Sequence, residues 1–468
     1  MKKYITGLAL LLIISACNVS KDIETPKAAL PGTFRNAATA DTGSIADIPW
    51  KSFFTDATLE KLIDSAIVRN YDMQVAVKNI EAAQLLVKQV KWNNIPRADF
   101  NVTASSSRPS DNSLNGVTLK QDNVGTNHIE DYSANLTLSW EADIWGKIRN
   151  QNKSAVAAYL QTAEAKNAIQ TSIVAGVSQG YFNLLMLDAQ LAIAKKNVAL
   201  NDSTLRIIKL QYDAGQVTSL AVQQAQAQQM AAAELVPQFE RDITLQENAL
   251  QILTGQLPGK IERSASLNDI SFAENLAAGV PSDMVNRRPD VRSQELALTI
   301  ANAKVGITKA QMYPSLTITA EGGVNSFKAS NWFNVPASLF ATAAGGVLQP
   351  LLDHKELKTQ FEVAKVEREK TVIQFRQSVL VAVGEVSDAL VKIGKLKEQR
   401  AIAESRVKTL EQATSNSNLL FKNGLANYLE VITAQSNVLQ GELELASVKR
   451  SELSAVSELY KALGGGWK

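Results

Sequence analysis

The chain has few of the residues that catalytic and metal sites require. Its 468 residues include one cysteine, Cys17, and two histidines, His128 and His354. Neither histidine lies at metal-ligand spacing from a cysteine or from paired carboxylates. The sequence also contains no phosphate-binding loop and no nucleophile elbow. We therefore predict that the chain is not an enzyme and that it holds no cofactor and no metal.

Charge of one sign and long apolar runs are also missing. The chain has 48 basic and 46 acidic residues, a net charge of +2, and no basic stripe, so no nucleic-acid partner is expected. Beyond the N-terminal region, no stretch provides the roughly 18 consecutive apolar residues that a membrane-spanning helix needs. Any segment that crosses a membrane would therefore have to be a β-strand. Aromatic residues make up 6% and prolines number 12, which is typical of a helix-rich protein.

The N-terminal residues resemble an export signal. Two lysines precede an apolar run over residues 8–14, and small residues lead to Cys17. The order Ile14-Ser15-Ala16-Cys17 resembles a bacterial lipobox, so we predict a signal peptide over residues 1–16 and lipidation of Cys17. The alternative is an ordinary signal peptide with a chance cysteine. Position 18 is Asn, not the Asp that tends to retain enteric lipoproteins at the inner membrane, which is compatible with the outer membrane.

The second half of the chain repeats the first. The block from Asn70 to Pro96 matches the block from Arg288 to Pro314 at an offset of 218 residues. Further along, Val177 to Gln226 matches Val386 to Gln435 at an offset of 209 residues, without a gap. Because a gapless match does not let helices change length independently, we predict that the two halves pack side by side as matching rods.

Each half is predicted to contain a long helical hairpin. In the first half, a helix without proline runs from about Ser154 to Tyr212, with apolar residues three and four apart. Gly215 and Gly424 lie where each hairpin must reverse, because glycine accepts the left-handed conformation at a helix end. The hairpin tips are therefore placed near residues 212–217 and 421–426. A soluble coiled-coil scaffold would also explain helices of this length.

Four strands are predicted from alternating apolar and polar residues, at about 98–107, 132–143, 315–323 and 338–349. The residues predicted to line a wet lumen are Ser133, Asn135, Thr137, Ser139, Glu141, Thr317, Thr319 and Glu321. A soluble, half-buried sheet would alternate in the same way. Export, a polar face with few long charged side chains, and aromatic residues near strand ends favour membrane strands. Four strands cannot close around a lumen, so copies must combine, and three copies would supply twelve strands.

Several motifs resemble the TolC-like outer-membrane factors, in the lipoprotein branch that serves resistance-nodulation-division efflux pumps. They include Pro49-Trp50-Lys51-Ser52-Phe53-Phe54, Asn286-Arg287-Arg288-Pro289-Asp290-Val291 and Ala310-Gln311-Met312-Tyr313-Pro314. The resemblance implies an α+β fold, with long antiparallel helical hairpins in a periplasmic α-barrel. It also implies four transmembrane strands per chain in a homotrimeric, twelve-stranded β-barrel.

The same resemblance implies how the chain is divided. The lipidated N-terminal segment, residues 17–60, and the linker, residues 255–282, would form an equatorial belt. The repeats would occupy residues 61–254 and 283–464, and residues 465–468 would form a C-terminal tail. The implied partners are outer-membrane lipid, a periplasmic adaptor (membrane fusion) protein and an inner-membrane pump.

A gate and a docking surface are implied in the same way. The segment from Tyr428 to Ser436 matches a family pattern, Tyr-Leu-x-x-Leu-Asp-Ala-Gln-Arg, in which the leucine narrows the periplasmic end. Leu429, Glu430 and Thr433 are therefore the gate candidates, and Leu429 would form a mainly apolar constriction. Thr433 and Ser436 replace the usual aspartate and arginine, so a lock that uses those two charges is not expected. Leu429 as ordinary interhelix core is the alternative.

The tip residues are expected to contact the adaptor. They are Tyr212, Asp213, Gly215, Phe421, Lys422, Asn423 and Gly424. The sequence thus favours a passive outer-membrane exit duct for small molecules. An exit duct for type I protein secretion and a non-conducting periplasmic scaffold lipoprotein are the alternatives.

Overall fold

The structure is a computed structural model that describes residues 19–26, 30–35, 43–121, 127–272 and 276–468. Cys17 and the predicted signal peptide lie outside the described residues. The helices are α1 (Trp50–Phe53), α2 (Ala57–Arg69), α3 (Tyr71–Lys91), α4 (Leu114–Gln121), α5 (Lys147–Asp213), α6 (Ser219–Leu253), α7 (Pro281–Arg287), α8 (Pro289–Ala310), α9 (Glu356–Lys422) and α10 (Tyr428–Ala462). The strands are β1 (Arg97–Ser107), β2 (Ile129–Glu141), β3 (Ser315–Ser326) and β4 (Leu339–Leu348). Short 3-10 turns occupy Ile45–Asp47, Trp92–Asn94 and Ala329–Asn331.

The long helices of the two repeats have equal lengths. Helices α5 and α9 each contain 67 residues, and α6 and α10 each contain 35. A helix of 67 residues is about 100 Å long at 1.5 Å per residue. The equal lengths agree with the gapless match between the repeats. No helix within the described residues is long and apolar enough to cross a membrane.

Helix α5 begins at Lys147, earlier than the predicted start at Ser154. Residues 147–153 are polar except for the buried Ile148, so they show no apolar periodicity, which is why the sequence pattern did not reveal this start. The carboxylate of Asp143 accepts hydrogen bonds from the backbone N–H groups of Ile148 and Arg149, at 2.8 and 3.0 Å. Asp143 therefore caps the helix, and β2 ends at Glu141, two residues before the predicted end.

The described residues form two compact units. One contains the described parts of residues 1–25, 81–160 and 296–373, and the other contains those of residues 26–80, 161–295 and 374–468. The first unit holds a four-stranded antiparallel sheet in the order β1-β2-β3-β4. Directly opposed residues share a face of such a sheet, so the pairs Phe100–Leu136 and Ala320–Leu138 place apolar residues of three strands on one face.

The second unit has an aromatic core that joins distant parts of the chain. The ring of Phe53 stacks on Tyr460 at 4.2 Å and on Phe272 at 5.1 Å between centroids. Phe54 and Phe182 are fully buried beside them. The N-terminal segment, the linker between the repeats and the last helix therefore share one core. Together with the sheet, this arrangement confirms the predicted α+β class.

Candidate functional site

The polar residues predicted to line a lumen share one face of the sheet. Glu141 is opposite Thr317, Ser139 is opposite Thr319, and Thr137 is opposite Glu321. Asn135 and Ser133 continue the same face of β2, two residues apart. The amide Nδ2 of Asn135 donates a hydrogen bond to Glu321 Oε1 at 2.5 Å, so their side chains meet on this face. The Nζ of Lys147 donates to both carboxylate oxygens of Glu141, at 2.8 and 3.0 Å.

The opposite, apolar face of the sheet is exposed. Phe100 is 71% exposed and Val347 70%. Other exposed apolar residues of this face are Val102, Leu136, Leu138, Ile318 and Leu339. Within the described parts of the chain, no strand residue belongs to either hydrophobic core cluster. A soluble, half-buried sheet would cover its apolar face, so the exposure pattern argues against that alternative.

The two hairpin tips have the same backbone design. Gly215 and Gly424 both adopt φ +70°, and the next residue after each donates its N–H to the carbonyl oxygen five residues earlier, at 2.8 Å in both tips. This is the hydrogen-bond pattern of a helix that ends with glycine in the left-handed conformation. No heavy atom lies within 4 Å of a Cβ built on either glycine. Glycine is therefore needed at both tips for its backbone conformation.

The tip residues differ in exposure. Tyr212, Asp213, Gly215, Lys422, Asn423 and Gly424 are exposed. Phe421 does not share this property, because its ring is only 5% exposed and packs with Ile208 and Val431 in a small core between the hairpins. The ring of Phe421 is therefore covered within the described chain, and the contact of this tip with an adaptor stays a prediction. Its counterpart in the first repeat, Tyr212, is 47% exposed.

The gate candidates lie on the exposed side of α10. Leu429 is 52% exposed, whereas Val431 is fully buried in the core at the tip. Glu430 and Thr433 are also exposed. Leu429 and Thr433 are one helical turn apart and therefore project from nearly the same side of α10. Within the single described chain Leu429 is thus outside the core between the hairpins, and its role in a gate stays a prediction.

The start of α10 is fixed by two polar contacts. The side-chain oxygen of Asn427 accepts hydrogen bonds from the N–H groups of Leu429 and Glu430, at 3.0 and 3.1 Å. The hydroxyl of Tyr428 donates to Gln224 Oε1 of the first hairpin at 2.7 Å. The backbone that carries Leu429 is therefore tied both to its own cap and to the neighbouring hairpin.

Arg288 connects three elements of the second unit. Its side chain is 8% exposed, and its guanidinium pairs with Asp290 and with Glu385, both at 2.6 Å. It also donates to the carbonyl oxygen of Ala462 at 3.0 Å, near the end of α10. Burial would raise the pKa of the Asp290 carboxyl, but its hydrogen bonding and charge pairing with Arg288 prevail and hold the pKa below its ordinary value. The Arg-Arg-Pro-Asp motif thus has a structural role that the sequence did not reveal.

A second ion cluster anchors the linker between the repeats. Arg263 pairs with Asp188 of α5 at 2.8 Å and also with Glu247 of α6. Sequence spacing could not reveal this cluster, because its members come from three distant segments. Among the described residues, no three His, Cys, Asp or Glu side chains are grouped so that they could hold a metal ion.

Comparisons with known proteins agree with this geometry. The profile of the family described as "Outer membrane efflux protein" matches twice, over residues 62–256 and 280–465. The chain is 29% identical to the toluene efflux pump outer membrane protein TtgF of Pseudomonas putida, over 100% of this chain and 98% of that protein. It is 26% identical to the cation efflux system protein CusC of Escherichia coli, over 98% and 97% of the two chains.

A solved structure adds to these matches. The open state of the MtrE outer membrane channel of Neisseria gonorrhoeae is 25% identical, with a TM-score of 0.86, over 97% of this chain and 99% of that chain. The two profile matches fall on the two repeats, and the resemblance to TolC-like outer-membrane factors is confirmed. The chain belongs to the outer membrane efflux protein family.

Proposed function

We propose that the chain is the exit duct of a tripartite efflux system in the bacterial outer membrane. It conducts small molecules passively as a homotrimer and catalyses no reaction. It docks on a periplasmic adaptor and, through that adaptor, on an inner-membrane resistance-nodulation-division pump. The main support for this proposal is the exposed apolar face of the sheet. No other described part of the chain packs against that face, and an apolar surface of this kind suits contact with lipid.

The edges of the sheet support a trimer. In the order β1-β2-β3-β4, the outer edges of β1 and β4 have no partner strand among the described residues. Unpaired backbone groups in lipid cost several kcal/mol each. Pairing β1 of one copy with β4 of the next removes both edges, and three copies of four strands give twelve. Twelve strands leave an open lumen, whereas eight are filled by side chains.

We propose that the barrel closes with the polar face of the sheet inside, facing the lumen, and with the apolar face outside, facing lipid. The residues that would line it are Ser133, Asn135, Thr137, Ser139, Glu141, Thr317, Thr319 and Glu321. Hydrated polar side chains in a wet lumen pay little desolvation, whereas the same groups facing lipid would pay several kcal/mol. The exposed tip residues of both hairpins remain the proposed contacts for the adaptor, and Cys17 remains the proposed site of a lipid anchor.

We propose that another component of the assembly, and not this chain, selects which molecules are transported. TtgF and CusC are similarly related to this chain, yet their names refer to toluene and to cations. A wide passive duct makes few contacts with its cargo. We therefore assign the choice of substrate to the pump.

The gate provides the decisive experiment. Replacing Leu429 with alanine removes an apolar side chain from the proposed constriction, and apolar constrictions close pores by excluding water. We expect L429A trimers in planar lipid bilayers to conduct several-fold better than the parent trimers. Antibiotic entry into cells should rise in parallel.

Leu220 is the matched control for this experiment. It is the residue equivalent to Leu429 in the first repeat and is 55% exposed, so L220A removes the same side chain at the other tip. Unchanged conductance in L429A, or an equal rise in L220A, would remove Leu429 from the gate. If correctly assembled trimers of both the parent and L429A never conduct, the chain is a scaffold and not a duct.

A further inference from the structure

The first described segment of the chain, residues 19–26, is held at Ile23 by Asn302 of α8, within the first unit. The backbone N–H of Ile23 donates to Asn302 Oδ1 at 3.0 Å, and Asn302 Nδ2 donates to the carbonyl oxygen of Ile23 at 2.8 Å. One side-chain amide thus satisfies both backbone groups of one residue, as a neighbouring strand would. Asn302 is 6% exposed and Ile23 is 37% exposed, so these hydrogen bonds are partly buried.

Two further contacts hold the residues just before Ile23. Lys153 of α5 forms an ion pair with Asp22, and Arg368 of α9 donates to the carbonyl oxygen of Lys21 at 3.2 Å. The Lys153 and Asp22 side chains are 44% and 43% exposed, and exposed ion pairs contribute only about 0–1 kcal/mol. The two hydrogen bonds of the buried Asn302 amide are therefore the main point of attachment.

This attachment limits how far Cys17 can lie from α8. Ile23 follows Cys17 by six positions, and six fully extended residues span at most about 20 Å. From Asn302 to the last residue of α8, Ala310, the helix rises about 12 Å, and β3 begins five residues later at Ser315. A segment that ran from Ile23 along α8 towards β3 would thus be about long enough to bring a lipid on Cys17 to the level where β3 begins.

We propose that Asn302 holds the segment 19–26 at one fixed position along α8. The clamp, as we call these two hydrogen bonds, thereby limits how far from α8 the lipid on Cys17 can extend. The anchor then enters the membrane at the same level as the strands, so the chain is attached at two fixed points. This proposal rests on the proposed lipidation of Cys17. The clamp itself is defined by described residues alone.

The single cysteine of the chain makes the proposal testable. Lys21 uses only its backbone carbonyl in the clamp and its side chain is exposed, so K21C introduces a thiol for a nitroxide spin label without removing a contact. Lipidation blocks the thiol of Cys17 as a thioether, so the full-length lipidated trimer should take up one label per chain. We expect most of the label to be immobile in the K21C parent and mostly mobile after the additional change Asn302→Ala.

Thr308→Ala is the matched control. Thr308 is a buried polar residue of the same helix, 4% exposed, but its hydroxyl donates only to carbonyl oxygens of α8 itself. Its loss should leave the label immobile. A mobile label in the parent, or identical spectra for the parent and Asn302→Ala in intact trimers, would overturn the clamp. Two labels per chain would overturn the lipid part alone, and the mobility comparison repeated with Cys17→Ser would still decide the clamp.

Discussion

The contacts of Arg288 predict a large and local effect of its removal. Arg288→Met keeps most of the apolar stem but removes the charged hydrogen bonds to Asp290, Glu385 and the carbonyl oxygen of Ala462. Losing a buried ion pair costs about 3–5 kcal/mol. Because the carboxylates of Asp290 and Glu385 are 51% and 50% exposed, water replaces part of what they lose. We therefore expect a loss of about 2–4 kcal/mol of local stability.

Native-state hydrogen exchange, followed by mass spectrometry on intact trimers, measures this loss where it occurs. A loss of about 2–4 kcal/mol corresponds to exchange about 30- to 1,000-fold faster, up to the rate set by global unfolding. The effect should be largest in the first turn of α8 and the last turn of α10 and smaller in α9 around Glu385, because Arg288 contacts all three helices. A global unfolding midpoint is less informative, because a chain of several compact parts does not unfold in two states.

Arg292 provides the control on the same helix. Its Nε pairs with Glu164 at 3.2 Å, but its side chain is 52% exposed. Arg292→Met should therefore cost about 0–1 kcal/mol, or at most about five-fold in exchange rate. If Arg288→Met exchanged no faster than Arg292→Met, the reasoning from burial and from the Ala462 carbonyl would be refuted.

Three further changes test other parts of the structure. Asp290→Asn should make the first turn of α8 exchange faster at neutral pH. Because the pKa of Asp290 is lowered, the difference from the parent should begin to shrink near the ordinary value of 3.8 and vanish once the pH falls below the lowered pKa of the folded chain. Gly424→Ala should cost about 1–2 kcal/mol at the second tip, measured as faster exchange there, because φ is +70°. Phe421→Ala should cost about 3–5 kcal/mol in the tip core, whereas Tyr212→Ala should cost less because its ring is exposed. If the two variants protected the tips equally against hydrogen exchange, the assignment of Phe421 to the core would be contradicted.

The repeat made much of the fold predictable from the sequence. Gapless matching required equal hairpins, and α5 and α9 have equal lengths as expected. Strand ends were less certain, because alternation persists where pairing stops. Asp143 continues the alternation of β2, but its carboxylate caps α5 instead. In β3, the pair Gly322-Gly323 interrupts the pattern, and the strand continues beyond the predicted end at residue 323 to Ser326.

The packing of side chains at the tips could not be predicted from the sequence. Tyr212 and Phe421 are equivalent in the repeat, yet only Phe421 turns into the core between the hairpins. Which of two equivalent side chains faces the neighbouring hairpin depends on contacts between residues about 200 positions apart. The same holds for Arg288. Its motif could be recognised in the sequence, but its contacts with Glu385 and Ala462 could not be predicted from it.

The equal helices constrain how such a molecule could be lengthened. One residue added to a single long helix would advance its tip by about 1.5 Å and turn it by about 100°, which would swing the apolar side of that helix away from its neighbours. Additions of seven or eleven residues nearly restore the original orientation, within about 20°. A longer version would therefore need the same seven- or eleven-residue block in α5, α6, α9 and α10 at once. Span across the periplasm could then change only in coordinated steps of about 10 or 16 Å.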